Sequence, residues 1–347
     1  MRSTRGRGIP VHSACAQGGS DPLHGLARHA KRDRKTRGNR MSRAYVFPGQ
    51  GAQTIGMGRA LAQSYPAAQA VFDEVDDALG QSLSALIWEG DLAALTLTEN
   101  AQPALMATSI AALRALEAEG IGGPDFVAGH SLGEYSALCA AGAIGVADAA
   151  RLLRVRGRAM QAAVPVGLGA MAALLGLDFA AASAVAAEAA QGEVCQAAND
   201  NDPAQVVISG HRGAVERALD IAKAHGAKRA LLLPVSAPFH CALMQPAAEV
   251  MAQALAAVTL RIPRVPVVVN VRATPETDPD RLRALLVDQV TGVVRWRESV
   301  IWMADAGVTE FWEVGAGKAL SGMIRRTAPQ AATRAVGSPE DVAAAQG

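Results

Sequence analysis

Apolar and polar positions follow two rhythms along the chain. From Ala44 onward, short apolar runs of strand character are each followed by longer stretches with helical period. Tyr45-Val46-Phe47 is the first such run, and Pro48-Gly49-Gln50-Gly51 is the turn that closes it. Helices are expected around 58–79 and 102–119, the second with Pro103 near its start, where a missing N–H costs least. Phe126-Val127-Ala128 reads as a second short strand ending at Gly129, followed by helices at Ala137–Ala141 and Ala147–Ala163. Strand followed by helix, repeated, predicts a mainly parallel sheet covered on both faces.

The rhythm changes between about 166 and 235. The pattern predicts a strand at 170–175, a helix at 178–190, strands at 194–198 and 205–209, a helix at 212–225 and a strand at 229–235. The order βαββαβ is that of a ferredoxin-like unit, compact enough to be an inserted subdomain. The first rhythm then resumes, with strands at Val265–Val271 and Glu310–Val314. The fold class is therefore α/β. An α/β-hydrolase-like parallel-sheet large subdomain is expected from residues 41–165 and 236–347, and a ferredoxin-like small subdomain from 166–235.

Composition narrows the setting. A chain of 347 residues, half of them hydrophobic, can bury a sizeable core without covalent staples. Its four cysteines, at 15, 139, 195 and 241, form no CxxC pair, so a reduced cytoplasmic compartment is expected and structural zinc is not. No apolar run reaches the roughly 18 residues of a membrane span. The nearest, Ala162 to Leu177, is broken by Pro165, Gly167, Gly169 and Gly176, so a soluble protein without a membrane partner is expected.

The formal net charge of +1 conceals an asymmetry. Residues 1–40 carry ten Lys/Arg and two acids, leaving 23 basic and 30 acidic residues for the rest. A body of net negative charge is a poor nucleic-acid binder, and no such partner is expected. The leader lacks the apolar stretch of a secretory signal. It is Arg-rich and acid-poor enough for an organellar transit peptide, but Met41-Ser42-Arg43-Ala44 opens afresh into a strand. The preferred reading is an overlong start, disordered or untranslated.

The strongest chemical signal is Gly129-His130-Ser131-Leu132-Gly133, a G-x-S-x-G between a predicted strand and a predicted helix. The glycines suit a turn too tight for side chains beside a nucleophile. Ser131 Oγ would stand at a helix N-terminus, where N–H groups and the dipole favour a developing oxyanion. The plainer alternative is a glycine-rich turn carrying a capping serine. A serine nucleophile needs a base. His130 adjoins the serine and should diverge from it, and His211 and His225 flank an amphipathic helix as surface residues. His240, in the two-proline loop Pro234–Cys241, is the candidate that loop rigidity favours, although spacing alone leaves it open.

Five segments in register then resemble a known family. Phe47-Pro48-Gly49-Gln50-Gly51-Ala52-Gln53, Gly129–Tyr135, Val155-Arg156-Gly157, Ala237-Pro238-Phe239-His240 and Gln289…Arg295-Trp296 look like the malonyl-CoA:acyl-carrier-protein transacylases, the acyltransferase family of fatty-acid and polyketide synthesis. The resemblance runs from about Tyr45 to Arg326. It implies that Ser131 is the acylated nucleophile and His240 its base. Gln50 and the backbone N–H of Leu132 would form the oxyanion hole, and Arg156 would hold the malonyl carboxylate. The main-chain carbonyl of Gln289 would orient His240. Phe239 resembles the residue associated with malonyl over methylmalonyl selection. The implied substrates are malonyl-CoA and the phosphopantetheine thiol of acyl carrier protein, with no cofactor and no metal, and a monomer is the default assembly.

The residue types suit those roles. A carboxylate-bearing acyl group calls for a planar, permanently charged fork, which arginine supplies. By position alone, Arg156 is not distinguished from Arg151, Arg154 and Arg158 on the same helix. Val293 stands where the family often has proline, so a less rigid loop is expected after Gln289. Arg212, Lys223, Lys228, Arg229, Arg325 and Arg326 are candidates for docking an acidic carrier. Gly315-Ala316-Gly317-Lys318 lacks the first Gly and the Ser/Thr of a phosphate loop, and Cys241 beside His240 lacks further ligands at suitable spacing. A serine esterase or thioesterase of α/β-hydrolase type is the alternative enzyme. Its histidine usually lies near the C-terminus after an acidic member, unlike His240. A carrier-docking subunit with a vestigial pocket would have no need of Ser131, His240, Arg156 and Gln50 together.

Overall fold

The computed structural model describes residues 42–346, so the expectations for residues 1–40 lie outside it. The described strands are β1 (Ser42–Phe47), β2 (Phe126–Gly129), β3 (Gly169–Leu175), β4 (Cys195–Asp202), β5 (Gln205–His211), β6 (Arg229–Leu232), β7 (Val267–Val269), β8 (Thr274–Glu276), β9 (Val308–Val314) and β10 (Ala332–Val336). Six form one sheet in the order β10-β9-β1-β2-β7-β8, parallel except for β8, which runs antiparallel to β7. Its central strands are short and apolar because helices cover both faces. Tyr45 and Phe47 face one core, and Ala44 and Val46 face another built around Trp296 and Phe311. This large sheet is the one the strand–helix pattern predicted.

The other four strands form a sheet in the order β4-β5-β3-β6, with every pair antiparallel. With helices Phe179–Ala190 and Arg212–Ala224 between its strands, the segment has the expected βαββαβ order. Both helices pack on the face carrying Ala172, Leu174, Val206 and Ile208.

Several elements differ from expectation for identifiable reasons. The stretch 58–79 is two helices, Arg59–Ser64 and Pro66–Leu79, because Tyr65 before the proline is extended, at φ −129° and ψ 110°. The helix expected at 102–119 begins at Thr98, so Pro103 lies in its second turn and cannot donate to the Glu99 carbonyl. Strand β6 stops at Leu232, ahead of Pro234. The edge strands β8 and β10 and several helices, among them Gln245–Ala256 and Pro279–Thr291, carry no strong periodic signal.

The largest difference is β4, expected to end at 198. It continues through Asn199-Asp200-Asn201-Asp202 because each polar side chain from Asp200 on has a fixed acceptor or donor role. Arg297 donates to both Asp200 carboxylate oxygens (2.9 and 3.0 Å), and Arg326 donates to Asp202 at 2.7 Å. Both aspartates are buried. Asn199 also forms an isolated parallel bridge to Val294, in the loop after the helix Pro279–Thr291. Among the described residues, no helix is long and apolar enough to cross a membrane.

Candidate active site

Ser131 lies between β2 and the helix Gly133–Ala140 with φ 54°, a left-handed conformation that a non-glycine residue holds only when its surroundings enforce it. The enforcing contacts are close. A Cβ on Gly129 would lie 1.9 Å from the Gly133 carbonyl carbon, and one on Gly133 would lie 2.3 Å from the Phe47 carbonyl oxygen. Both clashes are with backbone, which cannot swing away. Gly129→Ala is therefore expected to destabilise the protein by about 4 kcal/mol or more. Chemical denaturation would show it as a collapse of the unfolding midpoint, or as loss of soluble protein.

Ser131 Oγ is 2.7 Å from His240 Nε2. His240 also has positive φ, 58°, and its Nδ1 is 2.9 Å from the Gln289 carbonyl oxygen. A carbonyl can only accept, so it fixes the proton on Nδ1 and leaves Nε2 as the acceptor for the serine. Burial, and next the positive charge of Arg156, push the His240 pKa down to about 3. The imidazole thus stays neutral, and able to accept a proton, far below the ordinary histidine range. Acylation rate is expected not to fall as the pH is lowered through 6.5, the usual imidazole value. A loss of rate on acidification centred there would contradict this environment.

Arg156 comes from the helix Val146–Ala163 and is only 1% exposed. Its Nη1 donates to Gln102 Oε1 (2.8 Å), and its Nη2 donates to Gln289 Oε1 (2.9 Å) and Ser131 Oγ (3.2 Å). The other helix arginines diverge from it. Arg151 and Arg158 are exposed, and Arg154 is buried against Asn100.

Gln50 follows β1 and lines a cavity of about 440 Å³ together with Ser131, Leu132, Arg156, Phe239 and His240. Its Oε1 accepts from Thr98 Oγ1 (2.9 Å), so the end of the amide that remains to donate is Nε2. Leu132 caps the helix Gly133–Ala140, and no hydrogen bond engages its N–H among the described residues. The seven residues singled out from the sequence thus converge on one cavity or, for Gln289, on the wall behind it.

Sequence and structure comparisons agree with this chemistry. Residues 44–343 match the family described as acyl transferase domain. The malonyl CoA-acyl carrier protein transacylase of Escherichia coli (strain K12) is 50% identical over 302 residues, spanning 87% of this chain and 98% of that protein. The chain belongs to the acyl transferase family. Among solved structures, an acyl-carrier-protein-S-malonyltransferase from Bartonella henselae superimposes with a TM-score of 0.86 at 54% identity, covering 88% of this chain and 98% of the other. A malonyl-transacylase in complex with its type II polyketide acyl-carrier protein has a TM-score of 0.86 at 43% identity, over 88% and 98% of the two chains.

Several residues that sequence reading passed over complete the site. Asn270, just after β7, holds the serine turn from both sides, accepting from Ser131 N (2.8 Å) and donating to the Gly129 carbonyl (2.7 Å). The Gln289 side chain does as much as its carbonyl: Nε2 donates to the Ser131 carbonyl (3.0 Å) and to Glu134 Oε2 (2.9 Å). Glu134 is fully buried and its Oε2 also accepts from Asn270 N (2.9 Å), while burial pushes its pKa up to about 7. Glu134 lies inside the quoted motif, yet nothing local distinguishes it from a capping acid.

Two expectations change here. The loop after Gln289 is tied down despite Val293: Val294 N donates to the Ala198 carbonyl and Asp200 N to the Val294 carbonyl, both at 2.9 Å. His211 is half-buried, not a free surface residue, and its Nδ1 accepts from Val194 N (2.9 Å). His130 turns away from the serine, with Nε2 2.8 Å from Asn201 Oδ1. Cys241 directs its thiol to the Pro238 carbonyl at 3.2 Å. Among the described residues, no three His, Cys, Asp or Glu side chains group closely enough to hold a metal ion. Of the candidate docking cations, Arg326 is engaged by Asp202, and Arg212 and Lys223 pair with Glu216 and Asp220 on their own helix. Lys228 and Arg229 are exposed side by side at the start of β6.

Proposed function

We propose that Ser131 carries a malonyl group between two thiols. The chain transfers malonyl from malonyl-CoA to acyl carrier protein and so supplies units for fatty-acid synthesis. His240 Nε2 takes the Ser131 proton as the oxygen attacks the thioester carbonyl. The carbonyl oxygen becomes an oxyanion facing the Gln50 amide and the Leu132 N–H. The C–S bond breaks, His240 returns the proton to the CoA sulfur, and a malonyl-serine ester remains. The carrier's phosphopantetheine thiol then runs the same steps in reverse, which gives ping-pong kinetics. Malonyl-CoA and the carrier are substrates, and no cofactor enters any step.

The observation that carries this reading is a buried guanidinium 3.2 Å from the nucleophilic oxygen. A neutral ester has no use for it, whereas an acyl group ending in a carboxylate does. Phe239, buried beside His240 on the cavity wall, would crowd an α-branch on that acyl group. The Gln289 carbonyl at Nδ1 fixes the tautomer and orientation of His240, the positioning part of what an acidic third member does elsewhere. We further take the working unit to be a cytoplasmic monomer, with residues 41–165 and 236–347 as catalytic subdomain and 166–235 as the smaller one.

Intact-protein mass spectrometry after mixing with malonyl-CoA or acetyl-CoA, without carrier, tests the reading. A lasting malonyl adduct that discharges on adding carrier protein is expected. CoA release without an adduct would make the protein a hydrolase and overturn the proposal.

A further inference from the structure

Arg156 is a buried cation whose hydrogen bonds, among the described residues, reach two glutamine amides and the Ser131 hydroxyl. The acid that faces it stands one amide away. Gln289 accepts from Arg156 through Oε1 and donates to Glu134 Oε2 through Nε2, so its side chain lies between cation and acid. Glu134 is itself fully buried, and its Oε1 has no hydrogen-bond partner among the described residues. A buried cation needs a countercharge, and Glu134 in its ionised form is the acid placed to supply it through Gln289.

We propose that Glu134 is the resting countercharge of Arg156 and is displaced from that role by the malonyl carboxylate, so that malonylation of Ser131 takes up a proton onto Glu134. The proposal rests on Arg156 being the seat of that carboxylate. Two carboxylates around one buried guanidinium do not both stay ionised without cost. The incoming one contacts the guanidinium directly, while Glu134 acts through an intervening amide and is the weaker competitor. Its acidity is already poised near neutrality, so a modest added repulsion protonates it. Glu134 Oε1, the oxygen that accepts nothing, receives the proton.

The neighbouring groups do not compete for that proton at neutral pH. Tyr135, on the same helix, is already protonated, its pKa pushed up to about 12 by burial. His240, from the loop behind, is held too low to charge, and Arg156, from the helix Val146–Ala163, keeps the charge of a guanidinium although burial lowers its pKa. Asn270 and Gln289 present only neutral groups to Glu134. In the balanced step, the Ser131 O–H and thioester C–S bonds break, and the ester O–C and CoA S–H bonds form. One further proton, drawn from water, forms an O–H bond on Glu134. Discharge to the carrier thiol releases it, so the full cycle is proton-neutral.

The test counts protons in weakly buffered solution with a pH indicator, using the full chain and malonyl-CoA without carrier. Malonyl-serine is counted in parallel by intact mass. Uptake per adduct is expected to be small about one unit below the Glu134 pKa and to approach one proton about one unit above it. Acetyl-CoA, which brings no carboxylate, serves as the reference that removes any contribution from ionisation of the released thiol. Glu134→Gln keeps an acceptor for Asn270 and Gln289 but cannot titrate, so its uptake per adduct should vanish whatever its rate. In the wild type, kcat/KM for malonyl-CoA should fall by up to about tenfold per pH unit above the Glu134 pKa, and in Glu134→Gln it should stay flat. A wild-type malonyl adduct formed without proton uptake beyond the acetyl reference overturns this inference alone. Absence of the malonyl adduct overturns the functional reading beneath it.

Discussion

Ser131→Ala is expected to abolish the malonyl adduct and lower malonyl transfer to carrier protein by roughly 10⁴–10⁶-fold. The size of the effect follows from the absence of a substitute. Among the described residues His240 Nε2 is aimed at Ser131 Oγ alone, and the thiol next to it in the chain, Cys241, points to the Pro238 carbonyl. The cavity and the guanidinium would survive the change, so malonyl-CoA should still bind. Adduct mass and CoA release measured together decide the matter. Transfer persisting within tenfold of wild type would mean that malonyl passes directly between thiols, and the covalent route would be wrong.

Arg156→Ala is expected to lower kcat/KM for malonyl-CoA by roughly 150-fold while leaving that for acetyl-CoA unchanged or raised. Truncating one member of a buried, hydrogen-bonded charge pair costs about 3 kcal/mol, and here the incoming carboxylate is the other member. Lysine should not rescue. It offers a point charge where the two guanidinium nitrogens reach Gln102 on one side and Gln289 and Ser131 on the other. Arg156→Ala also leaves Gln102 Oε1 and Gln289 Oε1 without their donor inside the protein, so thermal unfolding of the variant should fall as well, and the ratio of malonyl-CoA to acetyl-CoA rates is what reads the role of the guanidinium. A parallel loss with malonyl-CoA and acetyl-CoA would make Arg156 a structural residue and sink the assignment.

Much of this site can be read locally. The strand, the turn and the helix around Ser131 each have their own apolar or glycine signal, and the left-handed serine follows from Gly129 and Gly133 pressing against neighbouring backbone. His240 could be singled out by its rigid loop, but its choice over other histidines rested on the resemblance. Its orientation comes from Gln289, 49 residues further on. What escaped reading is what depends on distant registers. Glu134 meets Asn270 and Gln289 across 136 and 155 residues, and no local pattern encodes such a meeting. The polar run Asn199–Asp202 has turn-like composition, and only Arg297, Arg326 and His130 make it a strand. Pro103 shows the reverse case, where packing of a long helix overrides a local preference.

The salt bridges at the end of β4 bear on modular exchange. The antiparallel sheet and its two helices look like a cassette that could be traded among related enzymes. Asp200 and Asp202 would travel with that cassette, whereas Arg297 and Arg326 would stay behind. A chimera cut at the ends of the βαββαβ segment therefore keeps its balance only if both arginines, and the backbone at Val294 that meets Asn199, are inherited with it. Recombination boundaries drawn from linear sequence would miss this dependence, and hybrids that ignore it should fail at the seam before their specificity is ever read out.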